Sequence, residues 1–83
     1  MESGIKELIE NLVKRLADEP DNITIEERQQ DDATVFEAHG VAKSDMGKVI
    51  GRKGQNIKSI RTIVGACGAK QKKRYMFQVI DEE

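Results

Sequence analysis

Two glycines, Gly51 and Gly54, bracket two cations, Arg52 and Lys53, inside a stretch from Met46 to Arg61 that otherwise has helical spacing. Met46, Val49 and Ile50 precede them. Ile57, Ile60, Val64 and Cys67 follow at i, i+3, i+7 and i+10, with Ile63 on the flank. The spacing predicts a short helix over Ser44–Ile50, capped by Ser44 or Asp45, then a tight turn and a second amphipathic helix. Glycine lets a backbone turn without a Cβ clash and approach another chain closely, so the N–H groups of such a turn can face phosphates. The helix that starts after Gly54 offers its first N–H groups and its positive dipole end to the same anion. With Arg52 and Lys53 projecting from the tip, the stretch suits a sugar-phosphate backbone.

The formal net charge of −1 over 83 residues argues against a polyanionic partner only until its distribution is considered. Residues 1–42 hold four Lys/Arg against eleven Asp/Glu, residues 43–74 hold ten against Asp45 alone, and residues 75–83 hold three acids and no base. A ligand is steered by the local field, and the glycine turn lies in the basic third. Solubilising charge is the plain alternative, but a solubilising surface intersperses the two signs. Lys58 and Arg61, three apart, can extend a cationic edge from Arg52 and Lys53 along the second helix.

The remaining elements frame this stretch. Ile5, Leu8, Ile9, Leu12, Val13 and Leu16 make a one-sided apolar stripe over Gly4–Ala17, with Ser3 as cap, Lys14 and Arg15 at the negative end and Pro20 as the stop. A stripe of this kind faces either the chain's own core or a partner. Ile23–Gln30 and Thr34–Val41, joined at Asp31-Asp32-Ala33, read as an antiparallel hairpin. The second strand is two-faced: Phe36 and Ala38 share one side, Val35 and Val41 the other, and Gly40 can mark a bulge that brings both sets to the core. Gly65 and Gly68 weaken the end of the second loop-flanking helix. A basic connector, Ala69–Lys73, leads to a last strand, Arg74–Ile80, and an acidic tail, Asp81-Glu82-Glu83.

The order is helix, strand, strand, helix, glycine turn, helix, strand, an α+β arrangement with helices on one face of a three-stranded sheet. Residues 1–83 are expected to form one domain with its core over roughly residues 5–80. A single cysteine, Cys67, fits a reducing compartment; no apolar run nears membrane-span length and no signal peptide is legible, so a cytoplasmic protein is expected. Gly54 is followed by Gln55 and Asn56, which lack the lysine and hydroxyl of a Walker loop, and the turn joins two helices where a dinucleotide fold joins strand to helix. His39 is the only histidine, so no metal cluster is expected. No nucleophile–base pair is legible, and an enzyme is not expected.

Val49-Ile50-Gly51-Arg52-Lys53-Gly54-Gln55-Asn56-Ile57-Lys58-Ser59-Ile60 resembles the KH-domain signature, an apolar pair before G-x-x-G and isoleucines at fixed helical steps after it. With a helix and two strands before the loop and one strand after it, the chain resembles the type II arrangement, α-β-β-α-α-β. Over roughly residues 5–80 it is similar to the small bacterial single-KH proteins of the KhpA type. The resemblance implies a single-stranded RNA-binding module in which Gly51, Arg52, Lys53 and Gly54 clamp the backbone of four nucleotides. Lys48, Gln55, Lys58 and Arg61 would stand alongside, and Ile50, Ile57 and Ile60 would floor the groove. It further implies a low-specificity module or RNA chaperone in post-transcriptional regulation that needs no cofactor. Self-association, or pairing with a larger KH-containing protein, is also implied, and Ile63 is the best exposed candidate for that contact. The competing reading is an adaptor whose fold mainly docks a partner. Only Phe36, Tyr75 and Phe77 are aromatic, so base stacking is poorly supplied and recognition should rest on backbone contact. The small residues of Ala38-His39-Gly40-Val41 are expected to leave a thin sheet edge.

Overall fold

Apolar residues at helical spacing give the first helix one buried side, and Ile9 and Val13 lie at its centre with no exposed surface. The computed structural model describes residues 2–81, so Glu82 and Glu83 of the acidic tail lie outside the described residues. Helix α1 spans Glu2–Leu16. The side chain of Ser3, the expected cap, lies outside what the structure describes. Leu8 falls at the margin of the stripe and is exposed, while Ile5, Leu12 and Leu16 pack against the core. Pro20 opens a single 3-10 turn, Pro20–Asn22, which delivers the chain to the sheet.

Strand β1 (Thr24–Gln30) pairs antiparallel with β2 (Ala33–His39), and β3 (Arg74–Val79) pairs parallel with β2. Asp31, left-handed at φ 57°, makes the hairpin turn, a conformation that aspartate tolerates. The register runs without interruption from Gln30↔Ala33 to Thr24↔His39, so Gly40 marks no bulge. It follows the strand end instead. There a Cβ would stand 1.9 Å from the carbonyl oxygen of Asn22, and the turn at Gly40 lets Val41 pack on the core. Val35 stays on the outer face of the sheet, covered by its cross-strand neighbours Arg28 and Met76. Because β2 is the central strand, Ala38 and His39 form no thin edge; the edges are β1 and β3.

Between β2 and β3 the chain makes a crossover through helices α2 (Met46–Ile50) and α3 (Gln55–Lys70), as a parallel pair requires. With α1, these helices cover the inner face of the sheet. Phe36 sits at the centre of the core, edge-on to Tyr75 with ring centroids 5.4 Å apart. Ile9, Val13, Ile25, Val49, Ile60, Val64 and Phe77 close around them. No helix among the described residues is long and apolar enough to cross a membrane.

Contrary to the expected weakening, α3 runs unbroken through Gly65 and Gly68 to Lys70. Gly68 is buried where α3 meets β3: a Cβ there would lie 2.8 Å from the Lys73 carbonyl oxygen and 2.9 Å from Tyr75 Cγ. Gly65 has open space at the corresponding point. The two glycines should therefore respond to alanine with opposite signs. Gly68→Ala overpacks the α3–β3 contact and should cost about 1–3 kcal/mol. Gly65→Ala should stabilise by up to about 1 kcal/mol through helix propensity. Urea unfolding midpoints of the two variants check both; equal shifts would contradict the packing described for Gly68.

Candidate nucleic-acid interface

The turn between α2 and α3 is held in a conformation that its two glycines make possible. Gly51 adopts φ 82°, ψ 167°, Lys53 φ 56°, ψ 25° and Gly54 φ 75°, ψ 17°. Two successive left-handed residues reverse the chain within one 3-10 turn, Arg52–Gly54. Gly51 N–H donates to the Gly47 carbonyl at 2.8 Å and Gly54 N–H to the Gly51 carbonyl at 3.0 Å, closing α2 and the turn. Lys53, a residue with a Cβ in a region that disfavours one, is strained by about 1 kcal/mol or more.

Asn56, which the sequence reading passed over, buttresses the turn. A Cβ on Gly51 would fall 2.7 Å from both its backbone nitrogen and its Cγ. Its side-chain amide donates to the Lys48 carbonyl at 2.8 Å, satisfying one of the carbonyls that the end of α2 leaves open. The only signal in the sequence was a short amide side chain in the first turn after a glycine loop.

Around this turn the structure gathers Arg52, Lys53, Gln55 and Lys58, which line a shallow cleft of about 400 Å³ with Ser59 and Thr62. Arg52, Lys53 and Lys58 are exposed and form no ion pair among the described residues. No side chain caps the start of α3, and the first of its N–H groups, that of Gln55, donates to the Arg52 carbonyl. Ile50 and Ile57 are half-buried beside the turn. Ile60, expected in the groove floor, is buried in the core.

Lys48, expected beside the clamp, and Arg61, expected on the cationic edge, are turned elsewhere. Lys48 pairs with Asp18 and lies 3.7 Å from Asp45 Oδ1. The hydrogen bond to Asp18 holds its proton more tightly than an ordinary lysine's. Arg61 leaves the line of Arg52 and Lys58 for the sheet, where its Nε donates to the Phe77 carbonyl at 3.0 Å. The basic third of the sequence is likewise not one patch. Lys70, Lys72, Lys73 and Arg74 lie at the far end of α3, about 24 Å away.

Asp45, fully buried, is the strut beneath α2. Its Oδ2 accepts the Glu19 N–H at 2.9 Å. That bond, with a second from the Asp18 backbone, holds its pKa below the ordinary 3.8 despite burial. On the outer face of the sheet Glu37 accepts Arg28 Nε and Nη2 at 3.0 and 2.7 Å and Gln78 Nε2 at 3.0 Å, all on Oε2. His39 Nε2 lies 3.1 Å from its Oε1. Arg28 first, then His39, lowers the Glu37 pKa. The fold thus brings Glu26, Glu37 and His39 within ligand distance of one another, a cluster that the sequence did not suggest. Arg28, Gln78 and His39 already compensate Glu37, so the group is accounted for as a polar network.

A type II KH domain is defined by this arrangement: a parallel β2–β3 pair, a crossover of two helices, and a G-x-x-G turn between them. The family model for the KH domain of KhpA/KhpB matches residues 6–79, and the chain belongs to that family. It is 40% identical over 75 residues to the RNA-binding protein KhpA of Borreliella burgdorferi, covering 90% of each chain. It is 39% identical over 77 residues to that of Bacillus subtilis, covering 93% of this chain and 94% of the relative. Against that of Listeria monocytogenes it is 38% identical over 77 residues, covering 93% and 100%. No solved structure was found to match.

The Asp45 strut has a pH signature. Its lowered folded pKa means that the stability it contributes is present above the ordinary carboxyl value of 3.8 and is lost as pH falls through its lower folded value. Asp45→Asn should destabilise the protein at pH 7 and flatten the acid limb of its stability curve. Melting temperatures between pH 2 and pH 7 check this; parallel curves for the two proteins would remove Asp45 from the account.

Proposed function

We propose that the protein is a single-stranded RNA-binding module that grips the sugar-phosphate backbone at Gly51-Arg52-Lys53-Gly54. One observation carries this reading. Three exposed cations, Arg52, Lys53 and Lys58, without ion-pair partners among the described residues, surround an uncapped helix start on a turn held rigid by Gly51 and Asn56. A phosphate there meets oriented N–H groups and net positive charge together. The relatives' name, RNA-binding protein, agrees with it. Gln55, Ile50 and Ile57 border the grip, while Lys48 acts from behind by fastening α2 to Asp18. Binding without catalysis, by residues 1–83 as one KH unit in the cytoplasm, is the role we assign. Backbone contacts carry little sequence information, which suits a module that acts on many transcripts as an RNA chaperone.

Replacing Arg52 and Lys53 with Asp should abolish binding of single-stranded RNA and leave the circular dichroism spectrum and melting temperature unchanged, since both side chains are exposed. Four phosphate contacts should give the parent protein a log–log salt slope of about −2 to −3, at about −0.7 per phosphate. A double variant that binds as the parent does would remove the turn from the mechanism.

A second reading, pairing with another copy or with a KH-bearing partner, has its own observation. Ile63 is 46% exposed on α3, and with Leu12, Leu16 and Ile60 it lines an apolar cleft of about 250 Å³ between α1 and α3. A second linked grip would raise affinity for longer RNAs through effective concentration. Ile63→Glu should then give a folded monomer by sedimentation that loses affinity for long RNAs more than for four-nucleotide ones. A parent protein that is monomeric at high concentration would exclude self-pairing.

A further inference from the structure

The clamp uses the cations at one end of α3 and leaves those at the other. From Met46 to Ile80 the chain carries nine Lys/Arg and no Asp or Glu. Four of the nine, Lys70, Lys72, Lys73 and Arg74, fall within five residues where α3 hands over to β3. The backbone there closes the helix in a Schellman arrangement: Lys72 N–H donates to the Ala69 carbonyl at 3.0 Å and Lys73 N–H to the Gly68 carbonyl at 2.8 Å. That closure puts Lys72 at φ 58°, the left-handed position that glycine ordinarily fills. A lysine is strained there. Among the described residues the only other left-handed lysine is Lys53 of the clamp. The helix dipole accounts for Lys70 in the last turn, but it gives no reason for a lysine in place of glycine just beyond the helix.

We infer that Lys72 and Lys73 form a second phosphate contact for the strand held at the clamp, so that the RNA runs along α3 and is gripped at both ends. The two lysines border an open recess of about 540 Å³ whose other lining side chains are Gln29, Asp32, Thr34 and Arg74. No apolar side chain lines it. A protein partner would need such an anchor, whereas a phosphate needs only donors and positive charge. Gln29 Nε2 donates to Thr34 Oγ1 at 3.0 Å, which leaves the threonine hydroxyl proton for a phosphate oxygen. Arg74, 3.5 Å from Asp32 Oδ1, offsets the one carboxylate in the lining, so Lys72 and Lys73 set the sign of the recess. Between the two ends, Lys58, Thr62, Ala66 and Ala69 share one exposed face of α3, and the helix contains no acid. A strand following that face meets no opposing charge. The helix is about 24 Å long, a distance that seven stacked nucleotide steps of about 3.4 Å span.

This second contact rests on the RNA-binding reading, and strand length separates the two. Affinities are measured by fluorescence anisotropy for single-stranded RNA of randomised sequence, four or twelve nucleotides long, at several salt concentrations. The shorter strand fills the clamp alone; the longer one reaches the far end of α3. Lys72→Gly/Lys73→Gln should bind the short strand as the parent does and the long strand at least about ten-fold more weakly, as loss of a linked contact requires. Its log–log salt slope for the long strand should be shallower by about 1.4, at about 0.7 per phosphate. Lys72→Gly alone should move both quantities about half as far on a logarithmic scale, while its melting temperature stays level or rises because glycine relieves the left-handed strain. Both variants should sediment as the parent does. Unchanged affinity for the long strand, or an equal loss for both lengths, overturns the second contact and leaves the clamp standing. A melting temperature that falls in Lys72→Gly makes the lysine a helix-closing residue and overturns it as well, and a loss accompanied by changed sedimentation belongs to self-association and does the same. Absence of parent binding to strands of either length overturns the clamp and the second contact together.

Discussion

Pairing β3 parallel to β2 is the constraint from which the functional geometry follows. Two neighbouring parallel strands cannot be joined by a hairpin, so the chain must cross the sheet and return. Here the crossover is broken into two helices, and the break lies at the outer end of the layer, away from the core that Phe36 and Tyr75 organise. A turn in that position can be strained, cationic and exposed without disturbing the packing. Its shape is set locally, by Gly51 against Asn56 and by the Asn56 bond to the Lys48 carbonyl. Its placement is set from below, by Asp45 and Lys48, which tie α2 to Glu19 and Asp18 in the segment that follows α1.

Charge is handled differently at the two ends of α3. Near the turn, Arg52, Lys53 and Lys58 are left without counter-ions among the described residues, and positive potential accumulates where a polyanion would arrive. Elsewhere positive charge is spent internally: Arg28 on Glu37, Lys48 on Asp18, Arg74 on Asp32. A chain with almost no net charge can therefore present a strongly basic local surface.

Much of this was legible in the residues. The helical spacing around Gly51 and Gly54 located α2, the turn and α3, and the apolar alternation located the hairpin, because these patterns reflect local geometry. What the sequence could not convey depended on contacts between distant segments. Gly40 resembles a bulge until the Asn22 carbonyl is seen against it, and Gly68 resembles a helix end until Tyr75 is seen against it. Arg61 has the right type and spacing for a cationic edge and Lys48 the right charge for a place beside the turn, yet the Phe77 carbonyl and Asp18, supplied by other elements, draw them away. Asn56 was invisible for the same reason: its role exists only once Gly51 is folded against it.

The bond from Arg61 to the Phe77 carbonyl also bears on how the molecule survives at high concentration. An outer strand with open backbone groups invites a strand from another chain to add to it, and β3 carries the apolar run Tyr75-Met76-Phe77 that would favour such growth. Arg61 occupies the acceptor at the middle of that run and lays a charge across it. On the opposite side of the sheet, β1 exposes Glu26, Glu27 and Arg28, which discourage strand addition by charge alone. Side chains thus oppose strand addition at both margins of the sheet.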